Sequence, residues 1–346
     1  MLCLFCLAVV SACDSGTRNT ADLPPATLAP ANIGVIVNDD DPLSQKIAAY
    51  YIQQRGIPDS NLVHIRLTPQ RQVVKPAKFM QILAQVRAAT PASVQAWVLT
   101  WTTPYRVGCM SITTAFAAGY DEAFCAQGCK PTQASPYYDS DSTRPFTDYG
   151  WRPTMMLAGK NFAAVKDLID RGLAADGTRP DGSAYLINSS DKARNGRVRF
   201  YPGILMMQSD RFRLKIINSD TLRYRTDVMF YFTGLTHVKG IKTNKYHPGA
   251  IADHLTSAGG RLSLSGGSQM SSLRWLEAGA TGSYGTVVEP CAFVQKFPRP
   301  DIVINRYLNG ETLIEAYWKS VAWPGQGVFI GEPLARPFAA AGEPGN

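Results

Sequence analysis

Segments patterned as strands alternate along this chain with segments patterned as helices, and this alternation limits the possible folds more than any other feature. The run at 227–233 (DVMFYFT) is almost entirely apolar, which is typical of a strand buried on both faces of a sheet. Residues 42–55 and 76–89 have helical spacing and each follows or precedes a strand-like run. Such alternation predicts an α/β fold with a mainly parallel sheet sandwiched by helices.

The same patterns predict where the elements lie and how the chain is organised. Strands are expected at 32–37, 62–67, 95–100, 184–188, 227–233, 261–265 and 282–287, and helices at 42–55, 76–89, 161–174, 248–257, 270–278 and 311–321. The stretch 101–153 is rich in Gly, Pro, Ser and aromatic residues and is too long for a plain connection. We therefore expect a single α/β domain over 31–338 with a loop-rich insertion at 101–153, followed by a disordered tail at 339–346.

The amino terminus has the pattern of an export signal. The apolar run LCLFCLAVV at 2–10 is much shorter than the roughly 20 residues that a membrane-spanning helix needs. It ends in Val10-Ser11-Ala12-Cys13, which resembles the lipobox of bacterial lipoproteins. That resemblance implies that Cys13 becomes the diacylated, palmitate-bearing first residue of the mature protein. Residues 1–12 would then be the signal peptide and 13–30 a flexible tether rich in Pro and Ala.

These features predict a lipid-anchored protein of the bacterial cell envelope that faces the periplasm. Asp14 after the cysteine resembles the signal for retention in the inner membrane. A signal normally has a Lys or Arg before its apolar run, and this chain has none there. An ordinary cleaved signal peptide remains the alternative. The predicted partners are the membrane, through the lipid on Cys13, and an envelope protein or glycan.

The net charge of +8 comes from scattered basic residues that are concentrated only at 192–225. In an exported protein, such a stretch favours a solvated face or contact with anionic lipid or glycan. A nucleic-acid-binding surface would need stacking aromatic residues beside the basic run. The sequence therefore does not indicate a nucleic-acid partner.

Four cysteines remain after Cys3 and Cys6 leave with the signal and Cys13 is lipidated: Cys109, Cys125, Cys129 and Cys291. An even number in an oxidising compartment predicts two disulfides. Three pairings are open, and we prefer Cys125–Cys129 within one tight loop with Cys109–Cys291 across the fold. A zinc site is the alternative, but a lone C-x3-C is a weak signal for it, and no cofactor is predicted.

Three consecutive carboxylates, Asp39, Asp40 and Asp41, follow the first predicted strand. Together they could hold a divalent cation. The preferred interpretation is that Asp41 caps the helix that begins at Pro42, where the helix dipole also favours its acidic neighbours.

Ligand sites in parallel sheets lie beyond the carboxyl ends of the strands, here 38–41, 100–106, 234–239, 265–269 and 286–291. His237 lies at one such end and is a candidate general base. The turn SGGSQ at 265–269 offers backbone N–H groups that suit an anion or oxyanion, with Ser265 or Ser268 as a candidate nucleophile. A simple strand–turn–helix junction is the alternative. A metal at His237, His247 and His254 is disfavoured, because the last two lack i, i+4 spacing.

Several motifs resemble a family of exported bacterial proteins of unassigned activity: PYRVGCMSITTAF, GAIADHLTSAGG, GATGSYGTVVEPC and GQGVFIGEPLARPF. The resemblance covers 31–338. The chain also resembles the caspase–gingipain fold, in which a His follows one central strand and a Cys the next. His237, after DVMFYFTG, takes the place of that His, while RLSLSGGSQ, in the place of the nucleophile, holds Ser265 and Ser268 rather than a Cys.

Two functions from different classes follow. The first is a non-catalytic envelope lipoprotein that binds a partner or ligand at the strand ends. The alternative is a peptidase-like hydrolase that uses His237 with Ser265, Ser268 or Cys291.

Overall fold

The computed structural model describes residues 27–127, 129–204, 212–263 and 268–339. The strands are β1 (Ile33–Asn38), β2 (Leu62–Ile65), β3 (Val73–Val74), β4 (Ala96–Leu99), β5 (Arg106–Val107), β6 (Met110–Ser111), β7 (Thr154–Met156), β8 (Gly182–Asn188), β9 (Phe212–Asn218), β10 (Val228–Thr233), β11 (Tyr246–His254), β12 (Gly282–Thr286) and β13 (Gly327–Gly331). The helices are α1 (Pro42–Arg55), α2 (Pro76–Ala89), α3 (Ile112–Ala118), α4 (Pro145–Tyr149), α5 (Phe162–Leu173), α6 (Tyr201–Ile204), α7 (Leu273–Ala278), α8 (Pro300–Leu308) and α9 (Leu313–Lys319).

One ten-stranded sheet organises the fold, in the order β2-β1-β4-β7-β13-β12-β11-β10-β8-β9. Every neighbouring pair is parallel except β12 and β13, which are antiparallel. This confirms the prediction of an α/β fold with a mainly parallel sheet. β3, β5 and β6 form a small second sheet inside and beside the insertion.

The antiparallel pair divides the large sheet into two parallel halves that run in opposite directions. The first half contains β2, β1, β4, β7 and β13, and the second contains β12, β11, β10, β8 and β9. The carboxyl ends of the two halves therefore lie at opposite edges of the sheet. The strand ends that the sequence grouped together are thus split, with 38–41 at one edge and 234–239 at the other.

Two predicted elements near the candidate site are wrong. Residues 248–257 were expected to be a helix, but most of them belong to strand β11, which pairs with β10 on one side and β12 on the other. Ala250, Ile251 and Ala252 are completely buried there, so both faces of the segment are covered. Residues 261–263 of the predicted strand 261–265 form no strand, and 264–267 lie outside the described residues.

The beginning of α1 and the packed amino-terminal segment follow from local chemistry. The Asp41 side chain accepts a hydrogen bond from the Leu43 backbone N–H (2.9 Å), which confirms the predicted cap. Leu28 is only 2% exposed. The packed part of the chain therefore starts inside the segment predicted to be a flexible tether. The predicted signal peptide, Cys13 and most of the predicted tail lie outside the described residues.

The disulfides pair differently from the preferred prediction. Cys109 is bonded to Cys125, with Cα atoms 5.5 Å apart, and Cys129 to Cys291, with Cα atoms 5.2 Å apart. The expected Cys125–Cys129 and Cys109–Cys291 bridges are therefore wrong. Sequence proximity made Cys125–Cys129 attractive, but the fold brings each of these cysteines to a more distant partner.

Among the described residues, no helix is both long enough and apolar enough to cross a membrane.

Candidate binding cavity at the strand ends

The candidate site forms where two neighbouring parallel strands of the second half end. Thr233 of β10 pairs with His254 of β11, and the Leu255 N–H donates to the Thr233 carbonyl (2.9 Å). The segments that follow these strands, 234–237 and 255–258, therefore run side by side. His237 belongs to the first segment and is exposed. The sequence placed RLSLSGGSQ at the end of the neighbouring strand, whereas the structure places Leu255, Thr256 and Ser257 there.

His254 holds one wall of the site in place through a hydrogen bond to the Met270 carbonyl. Its ring is buried, the Trp275 indole N–H donates to its Nδ1 (3.0 Å), and its Nε2 lies 3.0 Å from the Met270 carbonyl. Because Nδ1 accepts, Nε2 carries the proton and donates to that carbonyl. Burial lowers the pKa of His254 to about 3, so the ring is neutral at physiological pH. His254 is thereby saturated as a structural residue and offers no metal ligand.

The segment 268–272 forms that wall and is held by the strand ends. The Gln269 side-chain oxygen accepts hydrogen bonds from the Thr256 hydroxyl (2.7 Å) and the Ala258 N–H (2.8 Å). The Met270 N–H donates to the Thr236 carbonyl (2.8 Å). Backbone and side-chain bonds from both strand ends thus set the position of the loop. Thr256 and Gln269 were not singled out from the sequence, because their roles depend on which strands are neighbours.

A buried ion pair supports the same strand ends from the opposite face of β11. Arg197 and Asp253 are 2% and 1% exposed and their side chains lie 2.5 Å apart. Arg197 also donates to the Thr233 carbonyl (2.7 Å). Burial raises the pKa of Asp253, and the guanidinium of Arg197 opposes that shift. The pair therefore ties the last residues of β10 and β11 together.

Beside His237, these segments enclose a cavity of about 660 Å³, here called the strand-end cavity. Tyr105 and Gln72 reach it from the small sheet region, with the tyrosine hydroxyl donating to the glutamine side-chain oxygen (2.9 Å). The lining residues that the structure describes are Gln72, Tyr105, His237, Gly240, Ile241, Lys242, Ala258, Arg261, Ser263, Ser268, Gln269, Met270, Ser271 and Arg274.

The charge of this lining is one-sided. Lys242, Arg261 and Arg274 contribute cationic groups, while the lining residues that the structure describes include no carboxylate. Arg274 is paired with Glu277 outside the cavity, and Arg261 donates from Nε to the Val287 carbonyl (3.3 Å). Lys242 and Arg261 are exposed to solvent.

Of the predicted catalytic residues, only His237 and Ser268 are found in the same cavity among those that the structure describes. His237 and Ser268 line the same cavity, but no hydrogen bond joins them in the described part of the chain. Ser265 lies outside the described residues. Cys291 is held in a disulfide and so has no free thiol to act as a nucleophile.

The three consecutive carboxylates do not converge on a cation. Asp39 lies 2.7 Å from Nδ1 of His64, and Asp40 lies 2.6 Å from Nη1 of Arg66, whereas Asp41 caps α1. Within the described ranges, no group of three His, Cys, Asp or Glu side chains could hold a metal. The weaker metal hypothesis for this turn therefore loses its geometric basis.

Solved structures similar to this chain include the arginine-specific cysteine proteinase gingipain R, with 10% sequence identity and a TM-score of 0.49 over 91% of this chain and 80% of that one. A second, described as a protease, has 9% identity and a TM-score of 0.48 over 92% and 81%. No protein-family model and no curated protein matches the chain. Nothing about the activity of this chain follows from these two similarities.

Proposed function

We propose that this protein is a ligand-binding lipoprotein of the bacterial cell envelope and that the strand-end cavity binds a small organic anion. The observation that carries the proposal is the cavity's charge, since its described lining offers the exposed cations Lys242 and Arg261 and no carboxylate. Its volume of about 660 Å³ also lies within the range of roughly 300–1,000 Å³ typical of small-molecule sites.

The fixed wall of the cavity supports a binding role. Met270 is held through both its N–H and its carbonyl, and Gln269 accepts two hydrogen bonds from the end of β11. A site whose polar groups are positioned in advance loses less conformational entropy when a ligand binds. The hydroxyls of Ser268 and Ser271 and the Tyr105 ring add neutral groups that can orient a ligand among the cations.

Binding is favoured over catalysis because the described residues do not assemble the groups required for covalent chemistry. A serine or cysteine nucleophile needs a base within hydrogen-bond reach. The four described cysteines are all in disulfides, and His237 makes no hydrogen bond to Ser268 in the described part of the chain.

Isothermal titration calorimetry with citrate, glucose 6-phosphate and uncharged trehalose tests the proposal. We expect heat of binding for at least one anion, none for trehalose, and weaker binding as salt increases. Arg261→Gln should weaken anion binding about tenfold or more, because a hydrogen bond to a charged group contributes about 1.5–3 kcal/mol.

The matched control for this experiment is Arg66→Gln. Arg66 is 73% exposed and pairs with Asp40, away from the cavity, so this variant loses the same charge without touching the lining. Equal weakening by both substitutions, or the absence of anion binding by the native protein, would refute the proposed site.

Hydrolysis is the second candidate function, favoured by the single observation that His237 and Ser268 line one cavity. A fluorophosphonate probe labels activated serines. Hydrolysis predicts that labelling is lost in His237→Ala and in either Ser268→Ala or Ser265→Ala. The variant Ser271→Ala, which changes another serine of the same cavity, should still be labelled. This set of results would show that the protein is a hydrolase and would refute the non-catalytic proposal. Our proposal expects no labelling of the native chain.

The envelope location has its own test. Metabolic labelling with a palmitate analogue should mark the protein in bacteria, and Cys13→Ser should abolish the label. Cys3→Ser and Cys6→Ser are matched controls, because both cysteines lie in the predicted signal peptide. Labelling that survives Cys13→Ser would contradict the lipid anchor.

A further inference from the structure

Two segments of the second half run side by side over one face of the sheet. Residues 221–225 (TLRYR) follow β9, and residues 239–245 (KGIKTNK) precede β11. Thr221 forms a parallel bridge with Lys239, and the Lys245 N–H donates to the Arg225 carbonyl (2.7 Å). These contacts join the two segments into one surface, although 14 or more residues of sequence separate their members.

An apolar layer and a buried amide hold this surface in place. Leu222 and Ile241 point inward, at 2% and 6% exposure, and pack in a cluster with Tyr231 and Trp275. The Asn244 side chain is buried, accepts from the Arg225 N–H (3.0 Å) and donates to the Leu222 carbonyl (3.0 Å). Because these residues face inward, the charged residues between them face solvent.

The outward side is strongly basic. The exposed cations are Arg223, Arg225, Lys239, Lys242 and Lys245. Neither segment contains an Asp or Glu, and none of these five groups forms an ion pair with a residue that the structure describes. The nearby carboxylate of Asp227 is already engaged by Lys215 (3.6 Å) and by the hydroxyls of Ser183 and Tyr185.

An exposed aromatic ring stands among these charges. Tyr224 lies between Arg223 and Arg225 and is 75% exposed. Its backbone is in the left-handed region (φ 56°), and its N–H donates to the Thr243 hydroxyl (3.3 Å), which keeps the ring outside the packed layer. Tyrosine is well suited to the level of lipid headgroups, since its ring is apolar and its hydroxyl is polar.

We propose that this basic face, formed by Arg223, Tyr224, Arg225, Lys239, Lys242 and Lys245, docks on anionic lipid headgroups of a membrane. Lysines and arginines near an anionic membrane each strengthen binding by roughly fivefold at moderate salt. Five of them on a surface without carboxylates, together with one exposed tyrosine, match a negatively charged interface. The inference does not rest on the proposed function of the strand-end cavity, although Lys242 belongs to both surfaces.

Co-sedimentation of the full chain with vesicles tests the docking. We expect binding to vesicles of phosphatidylglycerol mixed with phosphatidylcholine to exceed binding to phosphatidylcholine alone, and the difference to disappear at high salt. The variant Arg223→Gln/Arg225→Gln/Lys239→Gln/Lys245→Gln should lose at least tenfold in affinity for the anionic vesicles. Lys242 is left intact so that the cavity is unchanged.

The matched control removes the same number of charges elsewhere. Lys46, Arg71, Lys75 and Lys78 are exposed on or near α1 and α2, and their replacement by Gln should leave vesicle binding unchanged. Any lipid or apolar run at the amino terminus is common to all these chains and contributes equally to both vesicle types. Tyr224→Ala is a mild second variant, expected to weaken binding several-fold without affecting folding.

Three results would overturn the inference. The first is equal binding of the native chain to anionic and neutral vesicles. The second is equal loss in the basic-face and control variants. The third is tighter, equally charge-dependent binding to heparin or to DNA than to the anionic vesicles, which would assign the face to a polyanionic polymer. Calorimetry with citrate on the basic-face variant distinguishes failure of this inference from failure of the cavity proposal. The variant keeps Arg261 and Lys242, so it should bind citrate as the native chain does.

Discussion

At the scale of single residues, the candidate site depends on side chains whose neighbours decide what they do. Four histidines occur in the chain; the sequence singled out His237 as a candidate general base and grouped it with His247 and His254 only in a disfavoured metal site. Only His254 is fully buried, between an indole donor and a carbonyl acceptor, and its role is to hold Met270. His237 is exposed at the cavity and is the histidine available to a ligand.

The buried histidine predicts a specific pH dependence of stability. The pKa of His254 is lowered by burial to about 3, while an unfolded histidine has a pKa of about 6.5. Unfolding therefore takes up a proton between these values, and the stability contributed by the neutral ring is complete above pH about 6.5. It is lost as the pH falls, by up to about 1.4 kcal/mol per pH unit.

Urea denaturation of the native protein and of His254→Gln measures this effect. The stability advantage of the native chain over the variant should shrink as the pH is lowered from about 7 to about 5. His64→Gln, which removes a histidine that is 54% exposed, is the control. An advantage that stays constant over this interval would show that His254 is not a neutral buried ring.

At the scale of elements, close packing of backbone on backbone brings the loop after β11 over β12. A Cβ atom at Gly285 would lie 2.3 Å from the Gly259 carbonyl carbon and from the Gly260 nitrogen. The Gly260 N–H also donates to the Thr286 carbonyl (2.9 Å). The glycine-rich GATGSYGT segment therefore permits the close approach of a loop.

Gly285→Ala should destabilise the protein by about 1–3 kcal/mol, because the added methyl group meets backbone that cannot rotate away. It should also weaken anion binding, since the Gly259 carbonyl accepts from the Ser272 N–H (2.7 Å) at the end of the cavity wall. Thermal denaturation and calorimetry check the two effects. Gly203→Ala is the control, because nothing lies within 4 Å of a Cβ there. Similar melting temperatures for both variants would refute the packing argument.

At the scale of the whole molecule, long-range links join the two oppositely directed halves of the sheet. The Cys129–Cys291 disulfide connects the insertion to the segment that follows β12. Buried Arg55 of α1 forms one ion pair within the first half, with Glu332 after β13, and a second with Asp176, in the connection from α5 to β8 of the second half. Each of these links joins residues that lie more than 100 positions apart in the sequence.

The two disulfides should therefore differ in their contribution to stability. The two cysteines of each disulfide are 16 positions apart in Cys109–Cys125 and 162 apart in Cys129–Cys291. The chain-entropy model therefore gives a stabilisation of about 3 kcal/mol for the first and about 5 kcal/mol for the second. Denaturation of the Cys129→Ala/Cys291→Ala and Cys109→Ala/Cys125→Ala variants compares them. A larger loss from the shorter loop, or free thiols at these positions in the native protein, would contradict the pairing.

Sequence patterns located several elements well and others poorly, for a recognisable reason. The predicted helices 42–55 and 76–89 have the bounds of α1 and α2, and 227–233 contains β10. The segment GAIADH became a strand because it lies between β10 and β12, where its small and branched side chains are covered on both faces. A short apolar run has no periodicity that distinguishes a buried helix from a buried strand.

By itself, the sequence determined the α/β class, the mainly parallel sheet, the cap at Asp41 and the presence of four cysteines that form disulfides. Those features depend on residues within a few positions of one another or on composition. Only the tertiary structure decided that β13 lies between β7 and β12, antiparallel to β12, so that the strands of the second half run opposite to those of the first. It also decided which cysteines pair and which loops line the cavity. These outcomes depend on contacts between residues far apart in the chain, whose free energies local propensity does not encode.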